Sequence, residues 1–478
     1  MNWRGILKSL MGLNGVLGIL MLSVPIIDLM TGREVSYPFL IGSLIFVLMG
    51  LFSVKIEAES LSLIDGLMVV ALAWPLISFE GAIVLMATIN IPLVDAWFES
   101  ISGFTGTGFT VLEGLDHMKP SIVTWRSIMQ WSGELGFVVF AMVLLPYFYR
   151  ISRAAYGLER PVKIEASFYK TAVSLIKIYV ILTLVALISY IYTGMNFYEA
   201  FNHVLTTIAT GGMSTYDKGY QVIFERAPLT YLPVMVFMFI GGMNFYLIAR
   251  VFKGDLRSLL QSEEFKTYYV SMIVLVIALT VSYVFTEGMD VGRAVVEAPF
   301  NLVSGMTTTG FSIGKPLSEL TDTSKAIIVA SMFLGGMMFS TAGGIKAIRL
   351  LIILKKFKDM FVRSIVSIPI GRRLTIDGAP LHDEDVIQAS LFIILHTAAV
   401  FIGAVLLSFY GYSFIDSLFE ATSAAGCVGL SVGIVSPVAP LGVKIIIMIL
   451  MILGRIEYTH LVLIFALIYG RKIIRAVR

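Results

Sequence analysis

The segment from Asp95 to Thr110, DAWFESISGFTGTGFT, decides the fold, because the chain repeats its pattern three more times. In each copy a glycine is followed by a large apolar residue and a hydroxyl residue, and an acid lies 13 positions before the glycine. The acids and their glycines are Asp95 and Gly108, Glu199 and Gly212, Glu297 and Gly310, and Asp416 and Gly429. The glycines recur roughly every 100 residues, so the pattern is a long-period internal repeat.

Composition indicates that the chain lies in a membrane. Of its 478 residues 57% are hydrophobic and 14% are charged, and the mean hydropathy is +0.88, which is typical of a polytopic membrane protein. The net charge of +3 gives no support for a nucleic-acid partner. The single cysteine, Cys427, excludes an internal disulfide and a multi-cysteine metal site. No Ser/His, Asp/Asp or His/Glu set stands at helical spacing, so we expect no enzyme activity.

Each copy of the pattern lies between two long apolar spans. The half-span before each glycine has about a dozen residues and reaches about 20 Å, less than the ~30 Å hydrocarbon core, so it must enter and leave on one side. We predict ten full spans, near residues 9–30, 38–55, 63–89, 122–149, 171–193, 229–251, 268–286, 326–354, 386–410 and 442–470. These give an N-terminal transmembrane hairpin over residues 1–60 and pore repeats over 61–165, 166–260, 261–380 and 381–478.

The distribution of charge predicts the orientation. Lysine and arginine are concentrated between the repeats, over residues 150–170, 250–266 and 355–373, and at the end of the chain. The loops that follow the glycines carry more acids. Short loops rich in lysine and arginine stay in the cytoplasm. We therefore predict a protein of the cell (inner, plasma) membrane with both termini in the cytoplasm and the glycine loops towards the outer face.

Four re-entrant loops in one chain imply a shared, solvated axis, because non-helical backbone at membrane depth must be buried in protein or line water. Glycine allows backbone conformations that are closed to other residues and lets the backbone approach an ion. A ring of backbone carbonyls can replace the hydration shell of potassium. The acid that starts each half-helix lies at the positive end of the helix dipole, so the negative end faces the axis. We predict an all-α fold with four tandem repeats in a pseudo-four-fold arrangement around a pore.

Beyond these copies, the chain resembles the Trk/Ktr/HKT superfamily of potassium transporters along its whole length. The resemblance includes motifs in the second span of each repeat: Trp125-Arg126 with Gln130-Trp131, GGMNF from Gly241, GGMMFSTAGGIK from Gly335, and GRIE from Gly454. It implies four M1–P-loop–M2 units, and the extra N-terminal hairpin is similar to the TrkH-like membrane subunits. Two positions depart from the pattern: Glu134 stands where glycine is usual, and Cys427-Val428 replaces a threonine-containing loop.

The resemblance implies a selectivity filter that binds potassium. Its ion-binding residues would be Thr107, Gly108, Gly211, Gly212, Thr309, Gly310, Val428 and Gly429. Further filter-loop residues would be Thr105, Gly106, Thr210, Thr308 and Cys427. In repeat two, the choice of Gly212 over Gly211 rests on matching Met213 to Phe311. Potassium is then the transported ion, with rubidium and sodium as further candidates, and no cofactor is expected in this chain.

The second span of repeat three contains four glycines around two hydroxyl residues. Each glycine in a helix costs about 1 kcal/mol relative to alanine, which predicts an unwound stretch. Close helix packing through small residues is the alternative. The resemblance implies a gate made of this stretch together with Arg455. The gate residues would be Gly335, Gly336, Ser340, Thr341, Gly343, Gly344, Lys346 and Arg455.

The two cations of this set leave alternatives open. Arg455 lies in an apolar run, where a charge is costly unless paired. It would bond the carbonyls of the unwound stretch, or pair with Glu457 or Glu134. Lys346 would pair with an acid, line the inner vestibule, or extend to the cytoplasmic surface. Asn244 and His396 are interpreted as polar groups in helix packing.

These observations predict potassium uptake through a gated, channel-like pathway. A sodium- or proton-coupled potassium symporter with broken helices is the alternative, although such carriers usually have two-fold repeats. The resemblance also implies a homodimer and a cytosolic, nucleotide-binding regulatory ring of the TrkA-like kind. The chain has no nucleotide-binding motif of its own, so nucleotide control would come from that partner.

Overall fold

A computed structural model describes residues 2–59, 61, 63–148, 164–365 and 374–458, most of them helical. The helices are α1 Trp3–Met21, α2 Ser23–Met30, α3 Tyr37–Ser53, α4 Leu63–Ile89, α5 Leu93–Phe104, α6 Pro120–Phe148, α7 Ile164–Tyr192, α8 Phe197–Ile208, α9 Gln221–Arg226, α10 Tyr231–Gly241, α11 Phe245–Phe252, α12 Leu256–Gln261, α13 Glu263–Phe285, α14 Val291–Met306, α15 Asp322–Phe333, α16 Ala347–Ile365, α17 Asp383–Ser408, α18 Phe414–Ala425 and α19 Leu441–Ile456. The strands β1 Thr375–Ile376 and β2 Ala379–Pro380 form an antiparallel pair with Thr375 opposite Pro380.

The N-terminal hairpin is built from α1, α2 and α3. The Asn2 side chain caps α1 by accepting the Gly5 amide at 2.9 Å. Gly15 on α1 and Gly50 on α3 allow the two backbones to touch, since a Cβ on Gly15 would lie 2.8 Å from the Gly50 Cα. Such small-residue contacts join helices closely in membranes. The hairpin packs through α1 and α3 against α4 of the first repeat.

The rest of the chain forms four repeats, each with a long first helix, a half-helix, a loop and a second helix. The first helices are α4, α7, α13 and α17, and the half-helices are α5, α8, α14 and α18. Three half-helices have 12 residues, as their length in sequence predicts. The predicted all-α fold with four tandem units around an axis and an N-terminal hairpin is confirmed. Five helical stretches of the described residues are long and apolar enough to cross a membrane, and the α10–α11 pair would add a sixth; the count of ten stays a prediction.

The second helix of repeat two is broken inside the span predicted near residues 229–251. α10 ends at Gly241, and α11 leaves at 108° to it. Asn244 starts α11, because its side-chain oxygen accepts the amides of Tyr246 at 2.9 Å and Leu247 at 3.3 Å. Asparagine at a helix N-cap is worth about 1 kcal/mol. Asn244, which is buried as a polar group in helix packing would be, thus also caps α11.

The second helices of repeats three and four are also short. α15 ends at Phe333 and α16 begins at Ala347, so the interruption predicted from the glycines of this span is confirmed. In repeat four, α19 ends at Ile456, and Glu457 adopts a positive φ of 56°. The span predicted over 442–470 is thus interrupted at Glu457, and its part beyond Tyr458 lies outside the described residues. His396, on α17, is buried between the rings of Phe333, Phe392 and Tyr458.

Candidate ion pathway

The four glycine loops have one backbone conformation. We number the positions of each loop backwards from its glycine, so that the −1 and −2 residues immediately precede it. The glycine and the −2 residue both have positive φ in every loop. The pairs, −2 residue first, are Gly106 at 67° and Gly108 at 90°, Thr210 at 49° and Gly212 at 73°, Thr308 at 57° and Gly310 at 87°, and Cys427 at 53° and Gly429 at 88°. Gly212, not Gly211, therefore occupies the glycine position of repeat two. Positive φ is rare for threonine and cysteine, and such strain is concentrated at functional sites.

The loops meet in a closed ring. A Cβ on each loop glycine would collide with the carbonyl oxygen of the −1 residue in the next repeat. The contacts run from Gly108 to Gly211, from Gly212 to Thr309, from Gly310 to Val428, and from Gly429 to Thr107. The fourth loop thus returns to the first, and a carbonyl from each repeat lies beside the glycine of its neighbour. Glycine is required at these positions by both its φ and this close approach.

The amide of each −1 residue points away from the ring. It donates to the carbonyl five residues earlier, at the end of the half-helix. These bonds are Thr107 to Ser102 at 2.9 Å, and Gly211 to Thr206, Thr309 to Ser304 and Val428 to Ser423 at 2.8 Å. Because the backbone donors are held by the half-helices, acceptor oxygens are what the loops offer to a cation. Thr105, at the end of α5, supports this arrangement by bonding the Thr107 hydroxyl at 2.8 Å.

A second position shared by the repeats, nine residues before each glycine, was missed in the sequence. It holds Glu99, His203, Asn301 and Glu420, all buried. Each side chain bonds the segment after its glycine, as when Asn301 Oδ1 accepts the Ile313 amide at 2.9 Å. Glu99 accepts the Thr110 hydroxyl at 3.0 Å, and Glu420 accepts the Ser431 hydroxyl at 2.6 Å. His203 Nε2 lies 3.0 Å from the Ser214 hydroxyl. The four residue types differ, but the constant spacing was a signal that could have identified them.

Arg126 joins the first two loops. Its Nε lies 2.6 Å from Glu99 Oε1, and its Nη1 donates to the Ser214 carbonyl of repeat two at 2.9 Å. Both charged groups of the pair are fully buried. A buried pair is strongly destabilised if one partner is removed. In the sequence, Arg126 was noted only as part of a motif shared with the superfamily, and its contact with the second loop was not predicted.

Three of the four half-helix acids lie in a first turn, as predicted. Asp95 pairs with Lys444 of repeat four at 2.6 Å, and Asp416 pairs with Lys325 of repeat three at 2.7 Å, so both ion pairs join neighbouring repeats. Glu199 pairs with Arg226 of its own repeat. The expectation for Glu297 is wrong: α14 starts earlier, at Val291 with Asp290 as its cap, and Glu297 lies in its second turn.

Residues 334–346 lie directly beneath the ring. The Thr210 hydroxyl donates to the Thr341 hydroxyl at 3.0 Å, and the Gly343 amide donates to the Thr308 hydroxyl at 2.8 Å. A Cβ on Gly343 would meet the Gly426 carbonyl and would lie 3.4 Å from the Cys427 Cβ. The stretch therefore contacts the −2 residues of repeats two, three and four. Ser340 and Thr341, both in this stretch, are fully buried.

The remaining −2 residue, Gly106, faces Glu134, because a Cβ on Gly106 would collide with the Glu134 carboxylate. Glu134 Oε1 pairs with Arg455 Nη1 at 2.7 Å, with both side chains 2% exposed. The local ion pair left open by the sequence is thus present, and the Arg455 guanidinium also lies 5.4 Å over the Trp74 ring. Lys346 is buried and donates to the Ala342 carbonyl, so it does not extend to the surface.

Known proteins are similar to this chain in sequence and in fold. The family described as TrkH, Cation transport protein, matches residues 37–269 and 258–473. An uncharacterized cation transporter of Methanocaldococcus jannaschii is 29% identical over 98% of this chain and 97% of its own length. The Trk system potassium uptake protein TrkH of Halomonas elongata is 32% identical over 66% of this chain and 67% of its own.

A solved structure has the same architecture. The crystal structure of the potassium transporter TrkH from Vibrio parahaemolyticus superposes with a TM-score of 0.86 at 24% identity, over 97% of this chain and 98% of that one. The structural similarity shows the fold, and the family match over most of the sequence shows the family membership. This chain is a member of the TrkH family of cation transport proteins.

Proposed function

We propose that this protein takes up potassium across the cell membrane through the axis enclosed by the four glycine loops. The single observation that carries the proposal is the closed ring, in which each loop glycine lies against the carbonyl of the −1 residue in the next repeat. Rings of backbone carbonyls replace the hydration shell of potassium. The names of relatives as potassium uptake proteins support the choice of ion.

The same proposal makes residues 334–346 and Arg455 the gate. Their support is position: the stretch contacts three −2 residues from below, and the Glu134–Arg455 pair lies at the fourth. An ion leaving the ring would meet protein there instead of water. Opening would require this stretch to move. Dimerisation and a cytosolic nucleotide-binding ring docked on the basic loops are further parts of the proposal and rest on the family alone.

Flux into liposomes tests the function. The purified chain would be reconstituted, and uptake of rubidium, potassium and sodium measured at a fixed membrane potential. We expect rubidium and potassium uptake well above sodium uptake in the wild type, with the discrimination lost in Gly310→Ser. Equal permeation of sodium and potassium in both proteins would exclude the filter.

The broken helices α10–α11 and α15–α16 keep the symporter as a second candidate, since carriers bind ions at such breaks. The same liposomes distinguish it. A channel-like pathway follows the electrochemical gradient of the conducted ion alone. A symporter would require an inward sodium or proton gradient and would accumulate potassium against its own gradient when that gradient is imposed.

A further inference from the structure

Repeat two differs from the others at the −1 position, where it has Gly211 instead of a β-branched residue. The other three repeats have Thr107, Thr309 and Val428. Gly211 has no positive φ, so backbone conformation does not explain it. A side chain there would instead collide with Gln130 of α6, whose amide atoms Oε1 and Nε2 would lie 2.6 and 2.7 Å from the Cβ. The space of the missing side chain is thus filled by a residue from repeat one.

Gln130 holds the second loop on both sides of Gly212. Its Nε2 donates to the Gly211 carbonyl at 2.6 Å, and its Oε1 accepts the Met213 amide at 3.0 Å. The side chain is fully buried. Buried amides are satisfied by specific partners, and an unmade bond costs the full desolvation of the group left behind. This pair of bonds fixes the Gly211 carbonyl, one of the four that form the ring contacts between loops.

The other repeats have methionine in register with Gln130. Gly133 and Gly241 occupy equivalent positions, because each contacts the carbonyl of the last residue of its half-helix, Phe104 and Ile208. Three positions before Gly133 lies Gln130. Three positions before the corresponding glycines Gly241, Gly335 and Gly454 lie Met238, Met332 and Met451, all fully buried. Three repeats therefore have methionine at the position of Gln130, and three have a β-branched residue at the −1 position. Only the contact between repeats one and two combines a glutamine with a −1 glycine.

We propose that Gln130 is a specificity-determining residue of the ion pathway, and this rests on the proposed potassium function. Its amide takes the place of the side chain missing at Gly211 and uses one of the two lone pairs of that carbonyl. The second loop then presents its carbonyl to the ion at a fixed position and with an altered field. Selectivity between alkali cations depends on the position and field of the coordinating carbonyls.

The test exchanges the pair for the one found in the other repeats. Full-length Gln130→Met, Gly211→Thr and the double variant would be reconstituted, and rubidium uptake measured in competition with sodium. Gln130→Met is expected to lower the rubidium-over-sodium ratio roughly tenfold, the effect of losing a buried hydrogen bond at the ion site. Gly211→Thr alone is expected to abolish uptake through the collision with Gln130, and the double variant to recover it at least tenfold.

Gln221→Met is the matched control. Gln221 also accepts a loop amide, that of Gly314 at 2.7 Å, but away from the ring, so its replacement should leave the ratio unchanged. The inference would be overturned if Gln130→Met kept the wild-type rubidium-over-sodium ratio. It would also be overturned if Gly211→Thr lost the same uptake in the single and the double variant. Either result would leave the potassium function intact. A wild type that carries no rubidium would overturn both. Because methionine already fills this position in three repeats, Gln130→Met should fold, and its thermal unfolding in detergent checks this.

Discussion

The two halves of each repeat, which we call outer (the half-helices and glycine loops) and inner (the second helices) after the predicted orientation, follow opposite rules. At the outer half, four loops share two positive φ values, one amide bond and one polar residue nine positions before the glycine. At the inner half, the second helices are one long helix, a pair bent by 108°, a helix interrupted over residues 334–346, and a helix that ends at Ile456. If the ring coordinates an ion, as we propose, similar backbone carbonyls from all four repeats would surround it. The proposed gate would require only that one segment can move, which leaves the inner halves free to differ.

The strongest way to break the symmetry of the outer half is a side chain in the ring. Gly212→Ala places a Cβ against the Thr309 carbonyl at a φ of 73°. Displacement of that carbonyl, together with backbone strain of ~1–2 kcal/mol, should reduce rubidium uptake by tenfold or more. Gly411→Ala is the control, since Gly411 has a φ of 90° and open space around it. Equal loss in both variants would attribute the effect to strain alone.

The inner half can be tested at the Glu134–Arg455 pair. Either Glu134→Gln or Arg455→Gln leaves one buried charge without its 2.7 Å partner, which should cost about 3–5 kcal/mol of stability. The double variant should lose much less than the sum of the two. Thermal unfolding in detergent measures the three variants. Additive losses would show that the two charges do not stabilise each other.

The contact between the halves can be weakened at Thr308. Thr308→Val keeps the shape but removes the hydroxyl that accepts the Gly343 amide. If residues 334–346 close the pathway, loss of ~1 kcal/mol from this contact should raise basal uptake about fivefold. Thr308→Ser keeps the hydroxyl and should behave as wild type. Unchanged or lower uptake in Thr308→Val would separate this stretch from gating.

The smallest effect is expected at the ion pairs between repeats at the outer end of the half-helices. Lys444→Met and Lys325→Met each remove one partly buried pair, with expected losses of ~0.5–1 kcal/mol. High salt should change these losses little, because partly buried pairs are screened much less than exposed ones. Lys356→Met, which removes an exposed pair with Asp383, should have no measurable effect on the unfolding temperature. A loss of several kcal/mol at Lys444 would instead make this pair essential to ring closure.

The outer half was largely predictable from sequence, because length and repetition determine it. A half-helix too short to cross the membrane must return, and four equal spacings align four loops. The exceptions depend on local details: α14 starts one turn earlier than the other half-helices because Asp290 caps it. The residues Glu99, His203, Asn301 and Glu420 differ chemically, so their shared role became visible only through their contacts.

The inner half was predictable only where a strong local signal exists. Four glycines predicted the interruption after Phe333. The bend after Gly241 had a comparable signal in its two glycines and the capping Asn244, but the apolar run around them favoured one helix. The partner of Arg455 depends on how α6 and α19 pack, which no local pattern contains. The sequence therefore left several partners open, and the tertiary structure shows the pair with Glu134.

The closure of the ring also affects the order in which the protein can fold during synthesis. Its last contacts join Gly429 to Thr107 and Lys444 to Asp95, and the latter two residues are separated by 349 positions. Chains are synthesised from the N-terminus, and early parts begin to fold first. Until the fourth repeat leaves the ribosome, the first loop lacks its neighbour on one side. A chain truncated before Gly429 would therefore leave three loops that cannot close the ring.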